Sequence, residues 1–514
     1  MKTMRLILGD QLNGSHSWFQ EYDSECIYVM LELSQEQYYV KHHKQKIAAF
    51  FLAMRDFCRV LKSDGHHVSY WTLEETQHWS NLKAALSQII EEHGIEHFEY
   101  QRPDEYRLIE QLRGLKFDQV TVTEVDTEHF LLPFDEISLA YTNYQGKQME
   151  YFYRDMRKKY QVLIDEQGKP QGGKWNFDKN NRGHLKSAKN QELISNPLLF
   201  NNSAQDIYTL LDKLAVPCFG EALSPLIWPI NRSQAQTLLA HFCRENLPYF
   251  GQYQDAMLTQ HKSKWSLFHS RLSFAINVKL LHPMEVIDAV VTAGQHNPNI
   301  DIAQVEGFVR QILGWREYVR MIYWALMPEY GRRNSLHSHR PLPGYFWHGK
   351  TKMQCVKQSI SQSLDYAYAH HIQRLMIIGN WSLLTGLDTQ EVEQWYLGVY
   401  VDALEWVEMP NTKGMALFAD NATIATKPYA SSGAYINKMS DYCKHCHYKV
   451  KESISEQACP FNSLYWHFID RNQAVFRDNH RMKMMYHQWD KKEAELKQAL
   501  LDKAERLLSD IEDL

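Results

Sequence analysis

The stretch Arg5-Leu6-Ile7-Leu8-Gly9-Asp10-Gln11 decides the fold class of the first part of the chain. It is a short apolar strand that ends in a glycine and two polar residues. Beyond it, strands are predicted at 26–31, 68–73, 95–100 and 119–125, and amphipathic helices at 42–61, 82–92 and 104–112. Short strands separated by helices predict a doubly wound parallel sheet, a Rossmann-like α/β domain over residues 1–130. Ligands bind such sheets at the carboxyl ends of strands, where Gly9-Asp10-Gln11 lies.

The rest of the chain changes character twice. Gly, Asn, Lys and Pro collect in 168–190, so we expect residues 131–215 to form an interdomain linker, ordered in part by a helix at 151–160. From 216 to 514 helical patterns dominate, with long amphipathic segments at 305–326, 355–379 and 389–406. The predicted architecture is therefore an α/β domain, a long linker and an all-α domain.

Composition excludes some classes of protein. A chain of 514 residues is too long for one ordinary core, and its net charge of −5 gives no global sign of nucleic-acid binding. It has no run of eighteen apolar residues and no segment typical of a signal peptide, so we expect a cytoplasmic monomer that does not enter membranes.

Four of the eight cysteines form the sharpest chemical signal. Cys443 and Cys446 are a C-x-x-C pair, Cys459 directly precedes Pro460, and Cys355 lies far upstream. Clustered thiols in a cytosolic chain indicate metal binding rather than disulfides. The spacing favours an iron–sulfur centre modestly over tetrahedral zinc.

Three motifs of the helical region could hold an aromatic phosphate ligand and move protons. Ser270 and Ser273 in 265–274 could bind a pyrophosphate at a helix start, although Ser270 could also be a simple cap. Arg316, after Trp315, could stack on a ligand or form a surface ion pair. His370 and His371 would point about 100° apart on a helix, so one of them could face a cleft and donate a proton.

Together these motifs resemble the photolyase/cryptochrome family, in its iron–sulfur bacterial branch with the bacterial (6-4) photolyases. The resemblance covers nearly the whole chain. It is carried by 6–12, 39–43, 270–273, 314–317, 370–374, 402–408, 435–443 and the four cysteines.

The resemblance implies FAD in the helical domain and a repair reaction on UV-damaged DNA. Ser270, Leu272 and Ser273 would hold the phosphates, Arg316 and Arg374 would lie near the flavin, and Asp402 would pair with Arg374. Glu408 matches the position that faces flavin N5. The remaining implied roles are the proton donor His371 with its neighbour His370, the lesion contact Tyr429, and the electron-transfer chain Trp347, Trp395 and Tyr396.

The resemblance also implies two further cofactors. Cys355, Cys443, Cys446 and Cys459 would bind a 4Fe-4S cluster. An antenna chromophore, 6,7-dimethyl-8-ribityllumazine, would be bound by Gly9, Asp10, Gln11 and Glu36; the alternatives are a pterin in its place or a pocket that binds no chromophore.

A local cationic stretch could follow DNA phosphates. It comprises Lys174, Lys179, Arg182, Lys186 and Lys189, and a solvated polar loop is the alternative. Asp178 and Asp255 are candidates for a divalent cation near those phosphates. We therefore expect a photolyase for (6-4) photoproducts; the alternatives are a cryptochrome-like blue-light photoreceptor and an iron–sulfur nucleic-acid-binding protein without photochemistry.

Overall fold

A parallel five-stranded sheet forms the first part of the chain, as predicted. The computed structural model describes residues 2–180, 183–185 and 187–514. Across the sheet the strands run in the order Val68–Trp71, Cys26–Leu31, Thr3–Leu6, His97–Gln101 and Thr121–Val125. All neighbouring strands are parallel, and Met4 of the central strand lies opposite Ile27 and Phe98.

Both faces of this sheet are covered, which explains its nearly continuous apolar strands. In Cys26–Leu31, Ile27 and Val29 pack into a core with helix Leu82–His93, whereas Tyr28 and Met30 join the much larger core that includes helix Lys44–Ser63. That larger core continues into the helical remainder of the chain. The sheet therefore packs onto the helices instead of forming a separate body.

The stretch predicted as a linker contains packed helices at Ile137–Tyr144, Met149–Tyr160 and Gln205–Lys213. Arg157 is fully buried, and its guanidinium donates to the carbonyl oxygens of Val162, Leu163 and Trp175. Ile137, Phe152 and Tyr208 of this stretch lie in the large hydrophobic core, so its helices pack against the rest of the protein.

The remainder of the described chain is helical, apart from Cys218–Phe219, which pairs in parallel with His42–His43. Its main helices are Arg232–His241, Leu247–Tyr253, Ser273–Asn277, Pro283–His296, Ile302–Val309, Glu317–Leu326, Gln354–Tyr366, Asn380–Thr385, Thr389–Val399, Glu405–Met409, Gly433–Met439, Pro460–Arg471, Lys483–Asp490 and Ala494–Ser509. Among the residues with assigned structure, no helix is long and apolar enough to cross a membrane.

One predicted helix is broken at a place that matters for the site. The segment 355–379 was expected to be continuous, but Gln354–Tyr366 ends at Ala367, which has a left-handed φ of 50°. His370 lies in the resulting connection, and His371 begins the next helix. The single-helix prediction was wrong because alanine gives no sequence signal for a left-handed helix end.

Three π-helical segments follow or carry candidate site residues: Arg310–Arg316, Gln373–Gly379 and Pro410–Ala416. Arg316 ends the first, Arg374 lies in the second, and Glu408 lies in the short helix Glu405–Met409 that directly precedes the third. Short π-helical stretches inside α-helices are frequent at functional sites.

Candidate active site

A mostly buried ion pair joins two of the predicted flavin-site residues. Arg374 Nη1 and Nη2 donate to Asp402 Oδ1 and Oδ2 at 3.0 and 3.2 Å. Ser273 donates its hydroxyl to Asp402 Oδ2 at 2.5 Å, and the Asn277 amide donates to the Asp402 carbonyl at 2.8 Å. Burial is the largest single effect and lowers the pKa of Arg374, but the Asp402 charge, the neighbouring Tyr400 and the hydrogen bonds to Asp402 together leave this pKa raised. Asp402 thus ties helix Ser273–Asn277 to the second π-helical segment, because it accepts hydrogen bonds from Ser273, Asn277 and Arg374.

Three histidines gather beside this pair. His269 and His370 stack with ring centroids 4.4 Å apart and planes 11° apart. Burial, His371 and Arg374 lower the pKa of His269 to about 3, and burial also holds the pKa of His370 well below its ordinary value. The cluster is therefore neutral at neutral pH, which removes the repulsion that three imidazolium ions would create.

His371 lines a cleft. Its side chain is exposed to solvent, yet burial by surrounding protein atoms, followed by the Arg374 charge, lowers its pKa to about 4. Both observations fit a ring on the wall of a deep, water-accessible recess. His371 is therefore neutral at neutral pH in the structure, whereas the proton donation expected from the sequence requires its charged form.

Glu408 is a buried acid that shares its surroundings with a second acid. Thr412 donates its hydroxyl to Glu408 Oε1. Burial and then the neighbouring Glu393 raise the pKa of Glu408 well above its ordinary value, while burial raises the pKa of Glu393 to about 6, despite Lys413. One proton is therefore held between these two carboxyl groups at neutral pH.

Arg316 lies in a different cluster, at the boundary with the α/β domain. Its guanidinium lies 4.6 Å from the Phe130 ring centroid and 4.9 Å from that of Trp406, and Nη1 donates to Glu317. Arg316 Nε and Nη2 and both ring nitrogens of His370 are buried without a hydrogen-bond partner among the described residues. Buried polar groups of this kind normally have hydrogen-bond partners, so a bound polar molecule would supply the missing hydrogen bonds.

The proposed phosphate residues lie at the start of helix Ser273–Asn277. Leu272 directly precedes that helix and donates its N–H to the Ser270 hydroxyl at 3.4 Å. The Ser273 hydroxyl is already engaged by Asp402, so its contribution to a phosphate would come from the backbone N–H.

The predicted electron-transfer residues begin at this ion pair and end at the surface. The Tyr396 hydroxyl donates to the Arg374 carbonyl at 2.6 Å, and the Tyr396 and Trp395 rings are 5.5 Å apart. Trp395 contacts Phe346 at 5.2 Å, and Phe346 precedes Trp347, which is 41% exposed. The three predicted residues are thus brought together with one intervening phenylalanine.

The four predicted metal-binding cysteines lie close together. Burial and then the charges of Cys459, Cys446 and Cys443 raise the pKa of the Cys355 thiol. Burial likewise raises the pKa of Cys459 to about 12, with further contributions from Cys443 and Cys446. Gly433 borders Cys459 so closely that a Cβ there would lie 2.8 Å from Sγ. In the part of the chain with assigned positions, no three His, Cys, Asp or Glu side chains form a ready-made metal shell.

The α/β domain contains a cavity of about 130 Å³ at the carboxyl ends of its strands. Gly9, Asp10 and Glu36 line it, whereas Gln11 is buried behind it and donates to the Gln101 carbonyl at 3.1 Å. Sequence reasoning missed most of the other walls. These include Glu32, Tyr39, His42, Lys46, Phe50, Met54, Glu105 and, from the helical domain, Leu404.

The residues predicted to meet DNA are only partly described. Burial raises the pKa of Tyr429, and the nearby carboxylates of Asp178 and Asp255 raise it further, so these three residues are neighbours. Asp178 also accepts from Arg310 at 3.3 Å. Lys174 and Lys179 flank this region in sequence, whereas Arg182 and Lys186 lie outside the described residues.

Sequence reasoning also missed two members of the site. His269 stands inside the quoted motif 265–274 but was not singled out, and only its stacking on His370 shows its place. Glu393 has no local motif, because its partner Glu408 lies on a different helix.

Known proteins resemble this chain both in sequence and in fold. A family model described as deoxyribodipyrimidine photo-lyase-related protein matches residues 5–226. The chain is 38% identical over 514 residues to a protein of Agrobacterium fabrum named (6-4) photolyase, with 99% of each chain covered.

Two solved structures share the fold at low sequence identity. One is a bacterial class III photolyase from Agrobacterium tumefaciens, with a TM-score of 0.54 and 14% identity, covering 97% of this chain and 91% of that chain. The other is a Synechocystis cryptochrome, with a TM-score of 0.55 and 10% identity, covering 96% of this chain and 94% of that chain. With the full-length similarity to the Agrobacterium fabrum protein, they lead to one assignment: the chain belongs to the photolyase/cryptochrome family, among the photolyase-related proteins of bacteria.

Proposed function

We propose that the chain is a blue-light-driven DNA repair enzyme that acts on (6-4) pyrimidine–pyrimidone photoproducts. The observation that carries the proposal is the full-length similarity to a protein named (6-4) photolyase, combined with an accessible histidine, His371, beside the Arg374–Asp402 pair. A photoreceptor on the same scaffold would have no use for a proton donor in a cleft that DNA can enter.

The residues present fit FAD in the helical domain. The unpartnered nitrogens of His370 and Arg316 are donors or acceptors that a dinucleotide could satisfy, and the ionised Arg374 would balance its negative charge. When bound, FAD would supply light absorption and one-electron chemistry. Ser270, Leu272 and Ser273 would hold the phosphates.

Glu408 would act as a proton holder beside the flavin. Because its pKa is raised, its carboxyl group carries a proton at neutral pH and can donate a hydrogen bond. Glu393 disfavours the loss of that proton, because two adjacent carboxyl groups that are both ionised repel each other.

His371 would deliver a proton to the lesion. Its neutral state in the empty cleft means that it must gain a proton as DNA binds. A phosphate of the flipped lesion brings negative charge into the cleft, and an opposite charge raises the pKa of an imidazole. Tyr429 would contact the flipped base, and His370 would orient its neighbour His371.

Two further cofactors belong to the proposal. Burial and then the nearby Cys459, Cys446 and Cys443 raise the pKa of the Cys355 thiol, and a bound cationic metal centre would lower it again. The four cysteines would therefore hold a 4Fe-4S cluster. A ribityllumazine antenna would occupy the cavity beside Gly9, Asp10 and Glu36.

DNA would lie over the face that contains Tyr429. Lys174 and Lys179 with Arg182 and Lys186 would contact phosphates, and a divalent cation at Asp178 and Asp255 would bridge to them. Both carboxylates lie near Tyr429, which supports this placement.

The deciding experiment uses an oligonucleotide with a single (6-4) photoproduct, incubated with purified protein under blue light and in the dark. We expect light-dependent recovery of the undamaged oligonucleotide, measured by chromatography. Flavin absorption without repair would instead support the photoreceptor, and iron without flavin would support the non-photochemical nucleic-acid-binding protein.

A further inference from the structure

A second row of buried aromatic side chains begins at the four-cysteine site. The Phe461 backbone N–H donates to the Cys459 sulfur. The Phe461 ring lies 5.2 Å from the Trp381 ring, centroid to centroid. Hydrogen bonds to cysteine sulfurs tune metal–thiolate centres, and this one joins the start of helix Pro460–Arg471 to the predicted metal ligand Cys459.

The row continues without a break to the predicted electron-transfer chain. Trp381 Nε1 donates to the Tyr345 hydroxyl at 2.8 Å, and the Tyr345 and Phe346 rings stack at 5.7 Å. Phe346 lies 5.2 Å from Trp395 and accepts from Trp395 Nε1 through its carbonyl at 3.0 Å. Each of these five residues is at most 1% exposed, so water does not interrupt the row.

The hydrogen bonds of the two indole N–H groups lie along the row, an orientation that hydrophobic packing alone does not require. Both indole N–H groups point along the row, each to a group that belongs to its next member. Positive charge on an oxidised indole is stabilised by an acceptor at Nε1, and the Tyr345 oxygen supplies one to Trp381. Burial raises the pKa of Tyr345, which keeps its own proton in place and makes it a bridge.

We propose that Trp381, bridged by Tyr345 and Phe346, carries single electrons from the metal centre of the four-cysteine site to Trp395. The inference rests on the proposed function and on the electron-transfer role that the family resemblance implies for Trp395, in which Trp395 would give one electron to the photoexcited flavin. Trp381 then gives one electron to Trp395, and the iron centre gives one electron to Trp381. The iron centre ends one electron more oxidised, both tryptophans end unchanged, and no proton moves.

The test compares Trp381→Phe with Trp466→Phe in the flavin- and iron-loaded protein. Trp466 is on the same helix as Phe461, but its ring stacks on Trp489 at 5.7 Å and contacts Tyr465. The EPR spectrum of the iron centre is recorded before and after blue light on samples with oxidised flavin. We expect a light-induced change in wild type and Trp466→Phe, and loss of that change in Trp381→Phe.

A second variant keeps the test decisive if Trp381→Phe does not fold. Tyr345→Phe keeps the ring and removes the oxygen that accepts from Trp381, so the iron EPR change should again be lost. A full light-induced iron change in either folded variant would overturn the inference alone. A wild-type protein without flavin or iron would overturn the proposed cofactors and the inference together.

Discussion

Replacement of Asp402 by asparagine should weaken both the fold and flavin retention. Asp402 accepts two hydrogen bonds from Arg374 and one from Ser273, and the Asp402 and Arg374 side chains are only 10% and 21% exposed. Loss of one partner from a buried pair costs about 3–5 kcal/mol. Because this pair is partly exposed to solvent and asparagine keeps one acceptor, we expect the free energy of unfolding to fall by about 2–3 kcal/mol, at or below the lower end of that range. A loss of the same size in the free energy of flavin binding would lower the flavin affinity roughly 30- to 150-fold, since about 1.4 kcal/mol is tenfold.

The assay is urea unfolding followed by circular dichroism, with flavin release followed by its fluorescence. Asp56→Asn is the matched control, because it removes the carboxylate of the Arg59–Asp56 pair, whose Arg59 side chain is 69% exposed. Exposed pairs of this kind contribute about 0–1 kcal/mol, so the control should stay near wild type. An Asp402→Asn protein with the urea midpoint and flavin content of Asp56→Asn would refute the role given to the pair.

Four further predictions follow from the same geometry. His371→Ala should keep flavin and bind damaged DNA but lose about 10²–10⁴-fold in (6-4) repair rate, the usual contribution of one general acid, while His370→Ala should lose less. Near-normal repair by His371→Ala in a chromatographic assay would show that His371 is not the proton donor. Trp395→Phe should slow photoreduction of oxidised flavin yet leave repair by chemically reduced enzyme intact, and an unchanged photoreduction rate in absorption measurements would exclude it from the chain. Cys443→Ala should give poorly soluble protein without bound iron, because structural metal binding is coupled to folding; soluble, active protein would show that the metal is not structural. Lys279→Met should destabilise the protein more at pH 8 than at pH 5. Lys279 is fully buried and donates to Asp10 and Asp104, and burial already raises the pKa of Asp10 to about 7, so without the lysine more stability is lost as the pH rises through that pKa. Equal losses in urea midpoint at both pH values would contradict this.

The sequence predicted the sheet better than it predicted the site. The strand predicted at 26–31 is observed at Cys26–Leu31, because strands covered on both faces leave short apolar runs between turn residues. The helix predicted at 82–92 is observed at Leu82–His93, where Asn81 caps its start and Gly94 its end, both ordinary sequence signals.

Tertiary contacts account for what the sequence could not supply. The break after Tyr366 places His370 and His371 beside His269, and nothing in the local pattern marks it. The pKa of about 4 at His371 depends on burial by segments distant in sequence, so a proton donor could be suggested from its residue type while its protonation state could not. The Glu393–Glu408 pair is hidden for the same reason.

The closure of the antenna cavity by Leu404 has a consequence for assembly. Around that cavity Glu105 accepts from the Glu405 backbone at 3.1 Å, and the Lys46 ammonium donates to the carbonyls of Leu397 and Ala403 at 2.6 and 2.8 Å. These contacts exist only once the α/β and helical parts have docked. Loading of the proposed chromophore would therefore come late in biogenesis, after the α/β and helical parts have both folded, and a nascent or proteolytically shortened chain would not bind it.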